Sequence, residues 1–242
     1  MKKILISLLL VMSLSGCTDK NNKEGGLLVI TGTDGSEVYV GIDELWNVRL
    51  MGFGREPLPP VQRDEAGNTW VDLGLPSGTL WASCNIGAKE VEESGGNYFA
   101  WGETVSKKSY RPDNYSYHDS SDGSVPLKYG KDWQMPSSSQ FAELFDAKYT
   151  RALWTMRNGV PGRLVVSRKY GNSIFLPAAG FYDETFIRDA GYCGYYWTCS
   201  SDTAHNASST VDILFFDSNT VKADVFVRYA GLCVRPVRKE EK

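Results

Sequence analysis

Histidine, cysteine and serine are the residues of this chain whose types could support metal binding or nucleophilic catalysis. The chain has only two histidines, His118 and His205, and they lie far apart in polar segments. No CxxC or HxxxH spacing occurs, so the sequence does not predict a structural zinc site. The segment GLPSG at 74–78 places its serine one residue too late for the nucleophile elbow of hydrolases. We therefore predict that the protein is not an enzyme and holds no cofactor.

Oxygen ligands for a cation are concentrated in one polar stretch, YRPDNYSYHDSSDGS, which begins at Tyr110. Asp113, Asp119 and Asp122 lie in it, but their spacing matches no known calcium loop. Aspartate and serine also stabilise turns in solvated loops, and that interpretation is favoured here. No metal is therefore predicted, and Asp119 and Asp122 are the alternative ligands.

The same stretch carries tyrosines spaced through polar residues, and a second group of rings follows later in the chain. A tyrosine offers a rigid apolar face and one hydroxyl, which suits sugar stacking and protein recognition. The loop 200–209 hangs off a predicted strand beside the second group. We predict ligand contacts from these segments by Tyr110, Tyr115, Tyr117, Tyr182, Tyr192, His205 and Asn206. Packing inside the domain is the alternative for each ring.

The N-terminus has the pattern of a bacterial lipoprotein signal. Lys2 and Lys3 precede an apolar run at 4–14, and Leu14-Ser15-Gly16-Cys17 matches the box whose cysteine is acylated. We predict a signal peptide over 1–16, lipidation of Cys17 and a flexible tether over 17–26. The mature protein would then be anchored to the outer membrane by its lipid, on either the periplasmic or the cell-surface side.

The net charge limits the kinds of partner, and the cysteine count limits the possible disulfides. Lysine and arginine number 26 against 29 aspartates and glutamates, so nothing favours a nucleic acid partner. Once Cys17 carries lipid, the remaining cysteines are Cys84, Cys193, Cys199 and Cys233. An exported protein can pair them in three ways, and free thiols are the alternative. We predict a Cys199–Cys233 disulfide because both residues lie on predicted core strands.

Four segments have a pattern that predicts their secondary structure. The runs LLVITG and EVYVGI surround a turn at 33–35, which predicts a small β hairpin segment over 27–62. Ser137 and Gln140 form a capping box ahead of apolar residues at helical spacing, which predicts one clear helix. Alternation of period two at 211–216 and 221–227, with a turn between, predicts an antiparallel pair. Residues 231–237 are expected to add a further strand.

Blocks rich in tryptophan and glycine follow one another through the rest of the chain. They are WVDLGLPSGTLWASCNIGA, YFAWGE, DWQMPSSSQFAELF, NSIFLPAAG, GYYWTCSS and RYAGLCVRPV, which begin at Trp70, Tyr98, Asp132, Asn172, Gly194 and Arg228. In order and spacing they resemble the Fibrobacter succinogenes major paralogous domain of Bacteroidetes and Fibrobacteres lipoproteins. That domain is an offshoot of the C-type lectin fold.

The resemblance implies an α+β fold of the C-type lectin type, with a short twisted antiparallel sheet, one helix and long loops. It would occupy 63–238, ahead of a charged tail at 239–242. The implied function is that of a non-catalytic cell-envelope lipoprotein, binding an unidentified glycan or protein ligand through its loops. A pilus or adhesin assembly component is one alternative. The other is a copper oxidase resembling formylglycine-generating enzymes, for which Cys193 and Cys199 form the only close cysteine pair.

Overall fold

A computed structural model describes residues 26–31, 37–43, 47–50, 62–89, 95–116, 129–130, 132–157, 159–201 and 209–239. Within them the architecture is mostly antiparallel sheet with one α-helix, so the chain is of the α+β class. No helix in this described part is long and apolar enough to cross a membrane. Cys17 lies outside the described residues.

The first sheet is formed by the segment that the sequence predicts as a hairpin. Strand β1 (Gly26–Thr31) pairs antiparallel with β2 (Glu37–Asp43), as the alternating apolar pattern predicts. A third strand, β3 (Asn47–Leu50), pairs with β2 and was not predicted.

The main body is built from four further sheets. One has the order β15-β6-β5-β4 and joins the C-terminal strand to the start of the body. Its strands are β4 (Gln62–Arg63), β5 (Thr69–Asp72), β6 (Thr79–Ala82) and β15 (Val237–Lys239). The second sheet is formed by β7 (Thr150–Arg157), β8 (Val160–Ser167) and β9 (Ser173–Pro177). The third is the hairpin of β10 (Phe181–Asp183) and β11 (Phe186–Arg188), and the fourth contains β12 (Gly194–Ser201), β13 (Thr210–Phe216) and β14 (Val221–Val227).

The α-helix α1 spans Ser138–Leu144 and begins where the capping box predicts it. The Ser137 hydroxyl accepts the Gln140 N–H, and the Gln140 carboxamide oxygen accepts the Ser137 N–H at 2.9 Å. Phe141 and Leu144 are buried, and the helix packs against β12 and β13. The helix prediction and the β13–β14 pairing are both confirmed.

The core is divided by the sheet of β12 to β14, because successive side chains of a strand point to opposite faces. Tyr196 belongs to one buried cluster, together with Trp81, Phe141 and Cys233. The next residue, Trp197, belongs to a second cluster on the other side. Each side of this sheet therefore has its own apolar core.

The segment after β14 is not one strand, as the sequence predicted, but a chain of bridges to three partners. Gly231 bridges to Tyr182, Leu232 to Phe99 and Cys233 to Tyr196. Regular pairing begins again only at Val237, opposite Trp81 in β6. The segment ties the hairpin, the stretch around Phe99 and β12 together, which is why no continuous ladder forms.

Candidate functional site

Tyr110 was predicted to contact ligand, but it lies in the core with only 1% of its surface exposed. Its hydroxyl donates to the Tyr98 carbonyl and accepts the Lys107 N–H at 3.0 Å. Burial raises the pKa of this hydroxyl to about 12. The ring fills the space beside Gly231, where a Cβ would lie 2.8 Å from it. The prediction for Tyr110 is therefore wrong, because a glycine far along the chain accommodates its ring.

Two other predicted tyrosines are half-buried and help to hold the same region. The Tyr115 hydroxyl donates to the Trp101 carbonyl at 3.0 Å. The Tyr182 ring meets Tyr98 edge to face at a centroid distance of 5.0 Å and lies 5.4 Å from the Tyr110 ring. These contacts give both side chains a structural role. Asp113, by contrast, is exposed in a short 3-10 turn and pairs with Arg111 at 3.3 Å.

Several predicted site residues fall outside the described part of the chain. They are Tyr117, Asp119, Asp122, His205 and Asn206. Among the residues that are described, no group of three or more histidine, cysteine or acidic side chains could hold a metal ion.

Tyr192 is a predicted site residue that the structure places at the surface, with 77% of its area exposed. Phe186 is 65% exposed and Ile187 is 45% exposed on the adjacent strand β11. We call Phe186, Ile187 and Tyr192 the hairpin surface. Phe186 belongs to the second group of rings in the sequence but was not among the predicted contacts, and neither was Ile187. The sequence does contain a pattern that predicts both residues. Phe186 and Ile187 form an apolar pair between the turn Glu184-Thr185 and Arg188, as expected for a short edge strand.

The main chain holds the hairpin firmly against the body. Tyr182 exchanges two backbone hydrogen bonds with Gly231, at 2.8 and 3.2 Å, and the Glu184 carbonyl accepts the Tyr110 N–H at 2.8 Å. Gly180 passes so close to β11 that a Cβ there would lie 1.9 Å from the Arg188 carbonyl oxygen. The hairpin surface is therefore carried on a positioned element.

Two residues of this element have a backbone conformation that is unfavourable for their type. Glu184 has a φ of 52° and Asp189 a φ of 56°, both in the left-handed region. Such strain persists only where the surroundings enforce it, and it clusters at functional sites. The Asp189 carbonyl accepts the N–H groups of Tyr192 and Cys193, so its strained turn aims Tyr192 outwards.

Beneath the hairpin lies a group of half-buried rings that we call the aromatic base: Phe181, Tyr195, Phe215 and Phe226. Phe181 meets Tyr195 and Phe226 edge to face at 5.0 and 4.9 Å, and Tyr195 meets Phe215 at 5.2 Å. Edge-to-face packing adds about 0.5–1.5 kcal/mol per pair to the energy of burial. The Tyr195 hydroxyl donates to the Asp189 carboxylate at 2.9 Å, which links the base to the strained turn. Burial first, and then Asp189, raise the pKa of Tyr195.

The charges around the hairpin surface are mainly acidic. Within residues 183–189 there are three acids, Asp183, Glu184 and Asp189, and one base, Arg188, which pairs with Asp183 at 3.3 Å. This balance disfavours an acidic ligand.

The predicted Cys199–Cys233 disulfide does not form, and Cys84, Cys193, Cys199 and Cys233 are all thiols. The reason lies in the alternation of β12. Cys233 bridges to Tyr196 and joins the Tyr196 core cluster, whereas Cys199 packs with the Trp197 cluster on the other face. Both cysteines do lie near core strands, but their side chains point to opposite sides.

Cys193 and Cys199 are also too far apart to share one metal ion. Cys199 lies within β12 and Cys193 directly precedes it. The regular part of β12, from Gly194 to Trp197, lies between them and spans roughly 10 Å, ahead of an irregularity between Trp197 and Ser201. Both thiols of a two-cysteine copper site must lie within bonding distance of one ion, so this arrangement does not form such a site.

Comparisons with known protein families, with curated proteins and with solved structures found no match.

Proposed function

We propose that this chain is a non-catalytic binding protein of the cell envelope that recognises a protein ligand with the hairpin surface. The observation that carries the proposal is the exposure of Tyr192 and Phe186, 77% and 65%, on an element that the body holds in place. Exposed rings on a rigid support can bind with little loss of conformational entropy.

The shape of the hairpin favours a protein over a glycan. Phe186 and Ile187 are consecutive residues of β11, so their side chains point to opposite faces, and both are exposed. A ridge that is apolar on both faces fits a groove on another protein, whereas small-molecule and sugar sites are usually concave.

The main chain of β11 supports the same choice. The backbone groups of Tyr182 point away from β11 to Gly231, so Tyr182 and Ile187 form a non-hydrogen-bonded pair of the hairpin. The N–H and C=O of Ile187 therefore point outwards, where a protein partner can bond them.

The envelope location and the fold family belong to the proposal as well. The lipoprotein pattern around Cys17 supports outer-membrane anchoring, and the ordered tryptophan and glycine blocks support a C-type lectin-like domain of the major paralogous type. A pilus or adhesin assembly role is the form that a protein ligand would take in that setting. The separation of Cys193 and Cys199 speaks against the copper oxidase alternative.

The test compares two double variants of the full chain. F186A/Y192A removes the two most exposed rings of the hairpin surface, and V105A/M156A removes two exposed apolar side chains elsewhere, 70% and 63% exposed. Both are screened against purified envelope proteins of the source cells and against a glycan array.

We expect binding to a protein that F186A/Y192A abolishes and V105A/M156A preserves, with both variants unfolding at the same denaturant concentration as the parent. If F186A/Y192A abolishes binding to a glycan instead, the ligand of the hairpin surface is a carbohydrate and not a protein. Protein or glycan binding unaffected by F186A/Y192A would refute the hairpin surface as the site.

A further inference from the structure

A second surface lies on the opposite face of the β12–β14 sheet, where α1 leaves the outer strand uncovered. A cleft of about 230 Å³ opens there between the helix and the sheet. Its walls are mainly apolar, with Phe141 and Ala142 from α1, Phe145 directly after the helix, and Leu214, Val221 and Ala223 from the strands. The small side chains Ala142 and Ala223 leave this space unfilled.

The hydrogen-bond register of β14 can be read from both of its ends. The Asp217 N–H donates to the Thr220 carbonyl at 3.0 Å, and the Arg228 N–H donates to the Ser209 carbonyl at 2.9 Å. Both contacts belong to the same antiparallel register, in which hydrogen-bonded and non-hydrogen-bonded pairs alternate. Val221, Ala223, Val225 and Val227 are therefore in non-hydrogen-bonded pairs, and their N–H and C=O groups point away from β13.

These outward groups are capped at one end of β14 and open at the other. The Asp224 side chain accepts the Val225 N–H at 3.0 Å, and the Val227 carbonyl accepts the Ala230 N–H at 3.2 Å. For Val221 and Ala223, no described residue supplies such a partner on the outer side. The open stretch is the part of the strand that lines the cleft.

Three consecutive residues, Val221 to Ala223, line the cleft. Ile213 and Leu214 of the neighbouring strand β13 line it as well, so the cleft borders the stretch of β14 whose outward main-chain groups are open. The site therefore offers two features to a ligand: main-chain donors and acceptors that alternate along β14, and an apolar space beside them. The partial charges of such an edge are matched by another extended polypeptide backbone, and the space takes one bulky apolar side chain.

From this we infer that the cleft between α1 and β14 binds an extended segment of a partner protein. The segment adds a strand to β14, bonds the main chain of Val221 and Ala223, and places an apolar side chain between Phe141 and Phe145. This site is separate from the hairpin surface, which belongs to the other face of the sheet, where Phe226 packs against Phe181 and Tyr195.

The probe is a panel of synthetic peptides that alternate threonine with leucine, isoleucine, valine or phenylalanine, titrated into the full chain and followed by fluorescence anisotropy. Ala223→Pro removes the open N–H without breaking a β13 bond, since Pro is tolerated at such edge positions. Val225→Pro is its matched control, because the N–H lost there already bonds Asp224. A peptide with N-methyl groups on its pairing edge tests the same bonds from the other side, and Ala142→Trp fills the cleft.

We expect at least one peptide to bind, with an affinity that A223P, A142W and N-methylation each lower by tenfold or more and that V225P leaves unchanged. F186A/Y192A should leave it unchanged too, which separates this result from the hairpin proposal. Binding that only A142W weakens would show an apolar pocket without strand addition and would overturn the inference. A panel in which no peptide binds the folded chain would overturn it as well. If A223P fails to fold, the N-methylated peptide decides the question alone.

Discussion

Arg235 is fully buried, and all of its observed hydrogen bonds go to neutral acceptors. Its Nε donates to Asn85 at 2.8 Å, and its Nη1 donates to the carbonyls of Ala82 and Ser83 at 3.0 and 2.6 Å. Its Nη2 donates to the Phe175 carbonyl at 2.7 Å. One guanidinium thus joins the C-terminal segment, the end of β6 and strand β9.

The substitution Arg235→Met keeps the length of the side chain and removes every donor. Each hydrogen bond to a charged group contributes about 1.5–3 kcal/mol net, so the four bonds set an upper limit of about 6–12 kcal/mol. Part of that is offset, because the variant no longer buries a charge. What remains is the cost of the neutral acceptors left unpaired in the core, about 1–3 kcal/mol for each one, so we expect a net loss of several kcal/mol.

Urea unfolding, followed by tryptophan fluorescence, measures this loss directly. The slope of the free energy of unfolding against urea should stay the same while the midpoint falls. Arg63→Met is the control, because that exposed side chain makes a single long contact of 3.5 Å to the Gly67 carbonyl, and it should change stability by about 0.5 kcal/mol or less. A loss below about 1 kcal/mol for R235M would show that the four bonds do not stabilise the fold as argued.

Three further results are expected. Gly180→Ala should destabilise the protein by several kcal/mol, because its φ is +65° and its Cβ would overlap the Arg188 carbonyl. Gly67→Ala is the control in urea unfolding: it has a positive φ of +86° as well but open space around it, so the difference between the two variants measures the overlap alone. Alkylation of the folded protein should leave Cys233 unmodified, since the thiol is buried and burial raises its pKa; mass spectrometry showing modification before unfolding would contradict this. The free energy of unfolding should fall above about pH 9. Burial raises the pKa of the Cys233 thiol and of the Tyr98 and Tyr110 hydroxyls, so the folded protein keeps these protons while the unfolded chain releases them. Urea midpoints that stay constant between about pH 8 and about pH 10.5 would refute this prediction.

Features that depend on neighbouring residues were predictable from the sequence. The capping box of Ser137 and Gln140 is local, so the start of α1 follows from the order of the residues. The period-two pattern of β13 and β14 is local as well, and the turn between them fixes their register.

Features that depend on distant residues were not predictable. Tyr110 looks like a loop residue until Gly231, far along the chain, accommodates its ring. Cys199 and Cys233 both lie near core strands, but only the pairing of Cys233 with Tyr196 shows that their side chains point apart. Exposure of Ile187 likewise depends on Gly231 bonding the other edge of the hairpin.

The two proposed surfaces share one sheet, and the alternation of β14 keeps them separate. Phe226 points to the aromatic base under the hairpin, whereas Ala223 points to the cleft beside α1. Substitutions at these two positions should therefore affect different ligands, although they lie on one strand. A ligand lost through both Phe226→Ala and Ala223→Pro, with the fold intact, would mean that the partner spans the outer edge of β14 and contacts both faces. That result would join the two sites into one interface.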